Sequence, residues 1–176
     1  MLNQNQAKML EPLKEFICDG CGEVITDIKD GWVEWLDKFN EEKGKHVEYG
    51  FRIVHHTSVS PKKGYSQYGC SKYPNHIGCN DTYLASFLNN NNGMAHILSL
   101  LDVGPYRDKN FTGPRIEDIR EYVEFMRRLL IPHYEEARMY WNDALADDFF
   151  RDDNEIGIYS VNNLKRLIAE YSNNRD

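Results

Sequence analysis

Cys18-Asp19-Gly20-Cys21-Gly22 is the stretch on which the reading of this chain turns. Two thiols two residues apart can grip one metal ion from a single turn. The backbone N–H groups of that turn point at the sulfurs, and glycine after the second cysteine permits the backbone angle the turn needs. A hairpin follows. Gly31-Trp32-Val33-Glu34-Trp35-Leu36 reads as a strand, and Asn40-Glu41-Glu42-Lys43-Gly44-Lys45 as a turn. Val47, Tyr49, Phe51 and Ile53 then alternate with Glu48, Gly50 and Arg52, the period-two pattern of a half-buried strand. A redox CxxC usually opens a helix after a strand. Here the next segment reads as strand, which favours a metal over a redox pair.

The remaining cysteines complicate the site. Cys70 and Cys79 have eight residues between them, so they do not form a second knuckle. Two completions stay open. In one, Cys70 and Cys79 close a four-thiolate site. In the other, His55 or His56, at the end of the hairpin strand, replaces one of them, with Cys79 the cysteine to be displaced. The preference at this stage is for Cys79 as the ligand. Tetrahedral zinc accepts either set, and four good ligands make a closed, structural site. Thiols in a chain whose start, Met1 to Lys8, has no apolar export segment read as reduced, which fits metal binding and a cytoplasmic location. No run approaches eighteen apolar residues, so no membrane span is expected.

Over residues 16–103 the chain resembles zinc-ribbon proteins, on Cys18, Cys21, Gly22 and the hairpin that follows. The resemblance implies metal binding and a ribbon-like fold. It implies no single activity, because ribbons serve transcription, enzymes and adaptors alike. The whole chain also resembles small proteins of bacterial and prophage genomes, a likeness that assigns no residue a role.

The chain carries 28 acidic and 21 basic residues, a formal charge of -7, yet Tyr49 to Asn80 contains no acid. Arg52, Lys62, Lys63, Tyr65, Tyr68 and Lys72 lie in this gap, with Tyr73 and three histidines. Such a stretch could touch phosphate or stack a base. The competing explanation is local compensation: zinc held by thiolates is net negative, and neighbouring cations offset it. The acidic total makes any nucleic-acid contact local and weak. His46-Val47-Glu48 matches half of a zinc-deaminase signature, but the downstream P-C-x-x-C half is missing. The acidic residues at 147–155 lack the spacing and central glycine of a calcium loop.

These readings predict an α+β protein: a polar leader at 1–15, a zinc-stapled hairpin with two short helices at 16–103, a linker at 104–113 between Gly-Pro pairs, and a helical part at 114–176. Residues 57–80 read as loop, Asp81 as a helix N-cap, and Pro114 as the first residue of a long helix whose apolar face is Ile116, Ile119, Val123, Met126 and Leu130. Arg127 and Arg128 read as surface cations on that helix. Pro132 kinks or ends it. Residues 156–159 read as a short strand, and Ser160 caps a last helix through Leu164, Leu167, Ile168 and Tyr171. No phosphate loop, nucleophile elbow or paired-carboxylate motif is present, so the expectation is a zinc-binding interaction or regulatory protein with a protein partner, and not an enzyme. A nucleic-acid contact through 49–80 and a metal-dependent enzyme using His46, His55 or His56 are the alternatives.

Overall fold

In the computed structural model, residues 9–62, 77–89, 91–102, 104 and 113–172 are described, and they form an α+β fold. The strands are β1 (Phe16–Ile17), β2 (Val24–Ile25), β3 (Gly31–Asn40), β4 (Lys45–His55) and β5 (Ile77–Tyr83). The helices are α1 (Leu84–Leu88), α2 (Gly93–Leu101), α3 (Ile119–Leu130), α4 (Tyr134–Ala137), α5 (Trp141–Ala146) and α6 (Val161–Tyr171).

The cysteine turn is itself a small hairpin, with Phe16 opposite Ile25 and Ile17 opposite Val24. The main sheet is antiparallel in the order β4-β3-β5. The alternation of β4 is broken once. Glu34 pairs with Arg52 but Leu36 with Tyr49, so Gly50 and Phe51 together face Trp35. Gly50 has φ 70°, where a side chain would be strained, and supplies the extra residue of a β-bulge. The bulge keeps Phe51 on the core face, stacked on Trp35 at 6.0 Å.

Two apolar clusters form. The first joins Phe16, Ile25, Val33, Trp35, Phe51 and Ile53 to Leu84, Phe87, Ile97, Tyr122, Phe125 and Leu129. The second joins Tyr134, Ala137, Ala144, Leu164, Leu167, Ile168 and Tyr171. The apolar face of α3 therefore belongs to the sheet, and the second cluster begins after Pro132. The expected linker at 104–113 lies almost wholly outside the described residues.

Four local expectations are corrected. Ile77–Tyr83 is a strand, where the sequence reads loop as far as Asn80 and a helix N-cap at Asp81. Gly78, Asn80 and Asp81 are turn-formers by propensity, but β5 pairs with seven residues of β3. Gly78 leaves room for Asp37, whose Oδ2 would lie 2.4 Å from an added Cβ, and Asn80 Nδ2 donates to Asp37 Oδ2 at 2.7 Å. Pro114 precedes the helix: residues 113–117 run beside β4, Glu48 N–H donates to Arg115 O at 2.7 Å, and α3 starts after Asp118, whose side chain accepts from Arg120 N–H. The buried face of α3 is Tyr122, Phe125 and Leu129, while Ile119 and Leu130 are exposed. The aromatic contacts of Phe51 with Tyr122 and Phe125, at 5.1 and 5.3 Å, decide that orientation. Residues 156–159 form turns. Pro132 ends α3, and Ser160 caps α6 by accepting from Asn163 N–H at 3.3 Å.

Candidate metal centre

The turn 18–22 closes through Gly22 N–H to Cys18 O at 2.8 Å and Cys18 N–H to Glu23 O at 2.9 Å. Gly22 has φ 79°, the left-handed conformation the sequence reading required of it. Asp19 then fastens the turn to β4. Its N–H donates to Ile53 O at 2.8 Å, and its Oδ2 accepts Ile53 N–H at 2.7 Å. This two-way bond brings the cysteines to the end of β4, where His55 lies opposite Gly31.

One sulfur of Cys18, one of Cys21 and one ring nitrogen of His55 lie within 4.8 Å of one another. Cys21 Sγ is 3.4 Å from His55 Nδ1, and His55 N–H donates to Cys18 Sγ at 3.3 Å. All three residues are buried, at 1, 9 and 6% exposure, with Cys21 nearest the surface. Burial pushes the Cys21 thiol up, and the neighbouring Cys18 adds to the shift, against the lowering influence of the Glu23 backbone and Lys62. Two buried thiols and an imidazole facing one point can hold a metal ion, and a bound cation would reverse that pKa logic by deprotonating the thiols. Lys62 donates to Cys21 O at 2.8 Å and lies 3.4 Å from Glu23 Oε1.

The structure thus joins His55, not Cys79, to the two thiols. Cys79 pairs with Leu36 on β3, five residues along from Gly31, which corresponds to about 17 Å at strand rise. The sequence reads loop at Cys79, but the residue lies on β5 and is not among the described cluster of Cys18, Cys21 and His55. His56 points elsewhere: its Nδ1 is 2.6 Å from Ser58 Oγ and its ring meets Trp32 edge-on at 4.6 Å. Cys70, Lys63, Tyr65, Tyr68 and Lys72 lie outside the described residues. Of the cations singled out in the sequence, Arg52 pairs with buried Glu34 and Lys62 serves the cysteine turn.

The half-signature is at the other end of β4, with Glu48 seven residues and His46 nine residues from His55, or about 23 and about 30 Å. Glu48 is buried against Arg115 at 3.0 Å, and His46 lies 3.4 Å from Asp37. Burial raises the Glu48 carboxyl, and Arg115 only partly offsets it.

Sequence reasoning missed the charged network behind the cysteine turn. Arg128 is 5% exposed, not a surface cation. Its Nε and Nη2 donate to the two Glu135 oxygens at 2.7 and 3.0 Å, and its Nη1 to Asp19 Oδ2 at 2.6 Å. Burial opposes its charge, but Glu135 and Asp19 outweigh burial and raise its pKa. The available signal was an arginine at the i+3 position from Phe125, inside the aromatic face of α3.

Among the described residues no helix is long and apolar enough to cross a membrane. Comparison with protein-family models, with curated proteins and with solved structures returns no match.

Proposed function

We propose that the protein is a zinc-stapled interaction module, in which Cys18, Cys21 and His55 hold a structural zinc ion and the activity is contact with a protein partner. The observation that carries the reading is the convergence of three buried ligand atoms, from a glycine-terminated turn and a neighbouring strand, within 4.8 Å. Two thiolates and an imidazole suit zinc, which is borderline soft and takes tetrahedral N/S sets. Burial of all three supports a structural over a catalytic role, since a catalytic zinc must keep a position open to substrate.

A fourth ligand is expected, and Cys70 remains the candidate from the sequence. Lys62 returns the chain to the turn, and β5 resumes at Ile77 beside Lys38. The place for contact with a protein partner is the open cleft of about 380 Å³ between the N-terminal turn and α1–α3, where exposed Met94 and Leu130 stand beside Leu13 and Phe87 in a lining that also holds Lys14 and Asn89. Of the cations in 49–80, Arg52 pairs with Glu34 and Lys62 donates to Cys21 O while its side chain stays half exposed.

The test is elemental analysis of protein purified without added metal. The expected result is about one zinc per chain. Cys18→Ser and Cys21→Ser should each release it and destabilise the fold around the sheet. Metal-free protein that melts like the native form would overturn the reading.

A further inference from the structure

Cys18 is gripped on both sides by the C-terminal half of the chain. Before it, Ile17 N–H donates to Glu135 Oε1 at 2.9 Å and Ile17 O accepts from Arg128 Nη2 at 3.1 Å. After it, Asp19 Oδ2 accepts from Arg128 Nη1 at 2.6 Å, and Asp19 Oδ1 from Arg138 Nη2 at 3.4 Å. Arg138 also donates to both oxygens of Glu135, each at 3.2 Å. The same Asp19 Oδ2 accepts from Ile53 N–H, two residues before His55. One network therefore spans both neighbours of one candidate ligand, the strand carrying another, and the start of the second apolar cluster. Nearby, Leu10 N–H donates to Glu136 Oε2 at 3.0 Å, so α4 also holds the segment that leads into the turn.

The energetics of such a network are close to all-or-none. Arg128 and Glu135 are each 5% exposed. A buried ion pair is tolerated only while its remaining donors and acceptors are satisfied, and removal of one partner strands a charge in low dielectric. Disorder in the turn would withdraw Asp19 from Arg128 and Ile17 from Glu135 together. A bound metal fixes that turn by its sulfurs.

We propose that the metal centre is the latch of the C-terminal half: metal bound by Cys18, Cys21 and His55 stabilises the docking of α4, and with it the cluster of α4–α6, against the sheet. The proposal rests on the metal-binding reading above. It assigns Asp19, Arg128, Glu135 and Arg138 as positioning residues for the centre. Coupling of this kind is reciprocal, so whatever the docked helices add to metal affinity, the metal adds to their docking. The junction is built to yield there. α4 follows Pro132 and His133, and His133 has φ 68°, a strained backbone angle for a side-chain-bearing residue that persists only while its surroundings enforce it. Tyr134 keeps a second hold on α3 through Glu124, so loss of the metal loosens α4 without detaching it.

The test uses the full chain in two measurements. Hydrogen exchange is followed with zinc bound and after removal by a chelator. Zinc affinity is measured by competition with a chromophoric chelator for the wild type, Glu135→Gln, Arg138→Ala and Lys38→Ala. Stripping zinc is expected to speed exchange across 134–146 and 161–171 at least about fivefold, the low end of ordinary coupling. Glu135→Gln and Arg138→Ala are expected to weaken zinc binding by about tenfold or more, the scale of outer-shell substitutions. Lys38→Ala, which removes a pair with Glu117 at 2.9 Å at the end of β3 far from Gly31, should leave affinity unchanged. If Glu135→Gln does not fold, Arg138→Ala decides, because its side chain is 23% exposed and its loss creates no buried charge without a partner. Failure of the wild type to bind zinc overturns the metal reading and the latch together. Stoichiometric zinc with unchanged exchange at 134–171 and unchanged affinity in both variants overturns the latch alone.

Discussion

Replacing His55 by alanine is the sharpest probe of the centre, because this residue separates the two ligand sets that the sequence left open. His55 is 6% exposed and its Nδ1 lies 3.4 Å from Cys21 Sγ, so truncation removes one corner of the cluster without touching the cysteine turn. Outer-shell changes cost about 10–100-fold in metal affinity, and loss of a ligand costs at least the upper end of that range. With free zinc at about 100 times the wild-type Kd, binding stabilises the fold by about 2.7 kcal/mol. A site weakened hundredfold contributes only about 0.4 kcal/mol under the same conditions, a loss of about 2.3 kcal/mol. For a chain of 176 residues that corresponds to about 5–9 °C in Tm. Truncation also opens a cavity, but that cost is present with and without zinc. The assay is therefore a double difference: thermal melts of wild type and His55→Ala, each in zinc and in chelator. The zinc-dependent part of Tm should largely disappear in the variant. An equal zinc-dependent shift in both proteins, with stoichiometric zinc retained by His55→Ala, would refute the triad.

Two further outcomes follow from single positions. Gly22→Ala places a side chain at φ 79° with no atom within 4 Å of the new Cβ, so its cost is backbone strain alone: about 1–2 kcal/mol in denaturant melts, together with weaker zinc retention. A variant as stable as wild type would show that the turn does not need its left-handed residue. Glu48 binds its proton more tightly in the folded protein than in the unfolded chain, because burial raises its pKa above 4.5. The native state then holds more protons, so this group's contribution to stability declines as pH rises from about 4.5 through the raised folded value. Glu48→Gln should flatten that slope in urea melts taken at several pH values, whatever its effect on absolute stability through Arg115. An unchanged slope would place the titration elsewhere.

The parts of the fold legible in the sequence were those fixed by neighbours in the chain. The cysteine turn follows from spacing and one glycine, β4 from alternation, and α6 from Leu164, Leu167, Ile168 and Tyr171 behind a serine cap. What failed was fixed by distant partners. The turn-forming residues of β5 become strand because seven residues of β3 pair with them and Asp37 fills the space beside Gly78. With β5 unseen, Cys79 read as a free ligand on a loop. α3 offers apolar residues on two sides, and only the aromatic cluster of Phe51, Phe87 and Phe125 selects the buried one. Arg128 read as solvated because its partner Asp19 is 109 residues away in the chain.

In the acid-free stretch at 49–80, two of the cations, Arg52 and Lys62, have partners within the molecule. A cluster of cations in an acidic protein invites a phosphate ligand, but cations first satisfy the charges nearest to them. Arg52 neutralises Glu34, which the sheet buries at 4% exposure, and Lys62 caps the carbonyl of Cys21. A thiolate-bound zinc would add negative charge beside Lys62 and tighten that contact. For Arg52 and Lys62, then, the cation answers a group of the molecule itself. The same argument covers Arg128 and Arg138 behind the turn, where two guanidinium groups serve the carboxylates of Asp19 and Glu135.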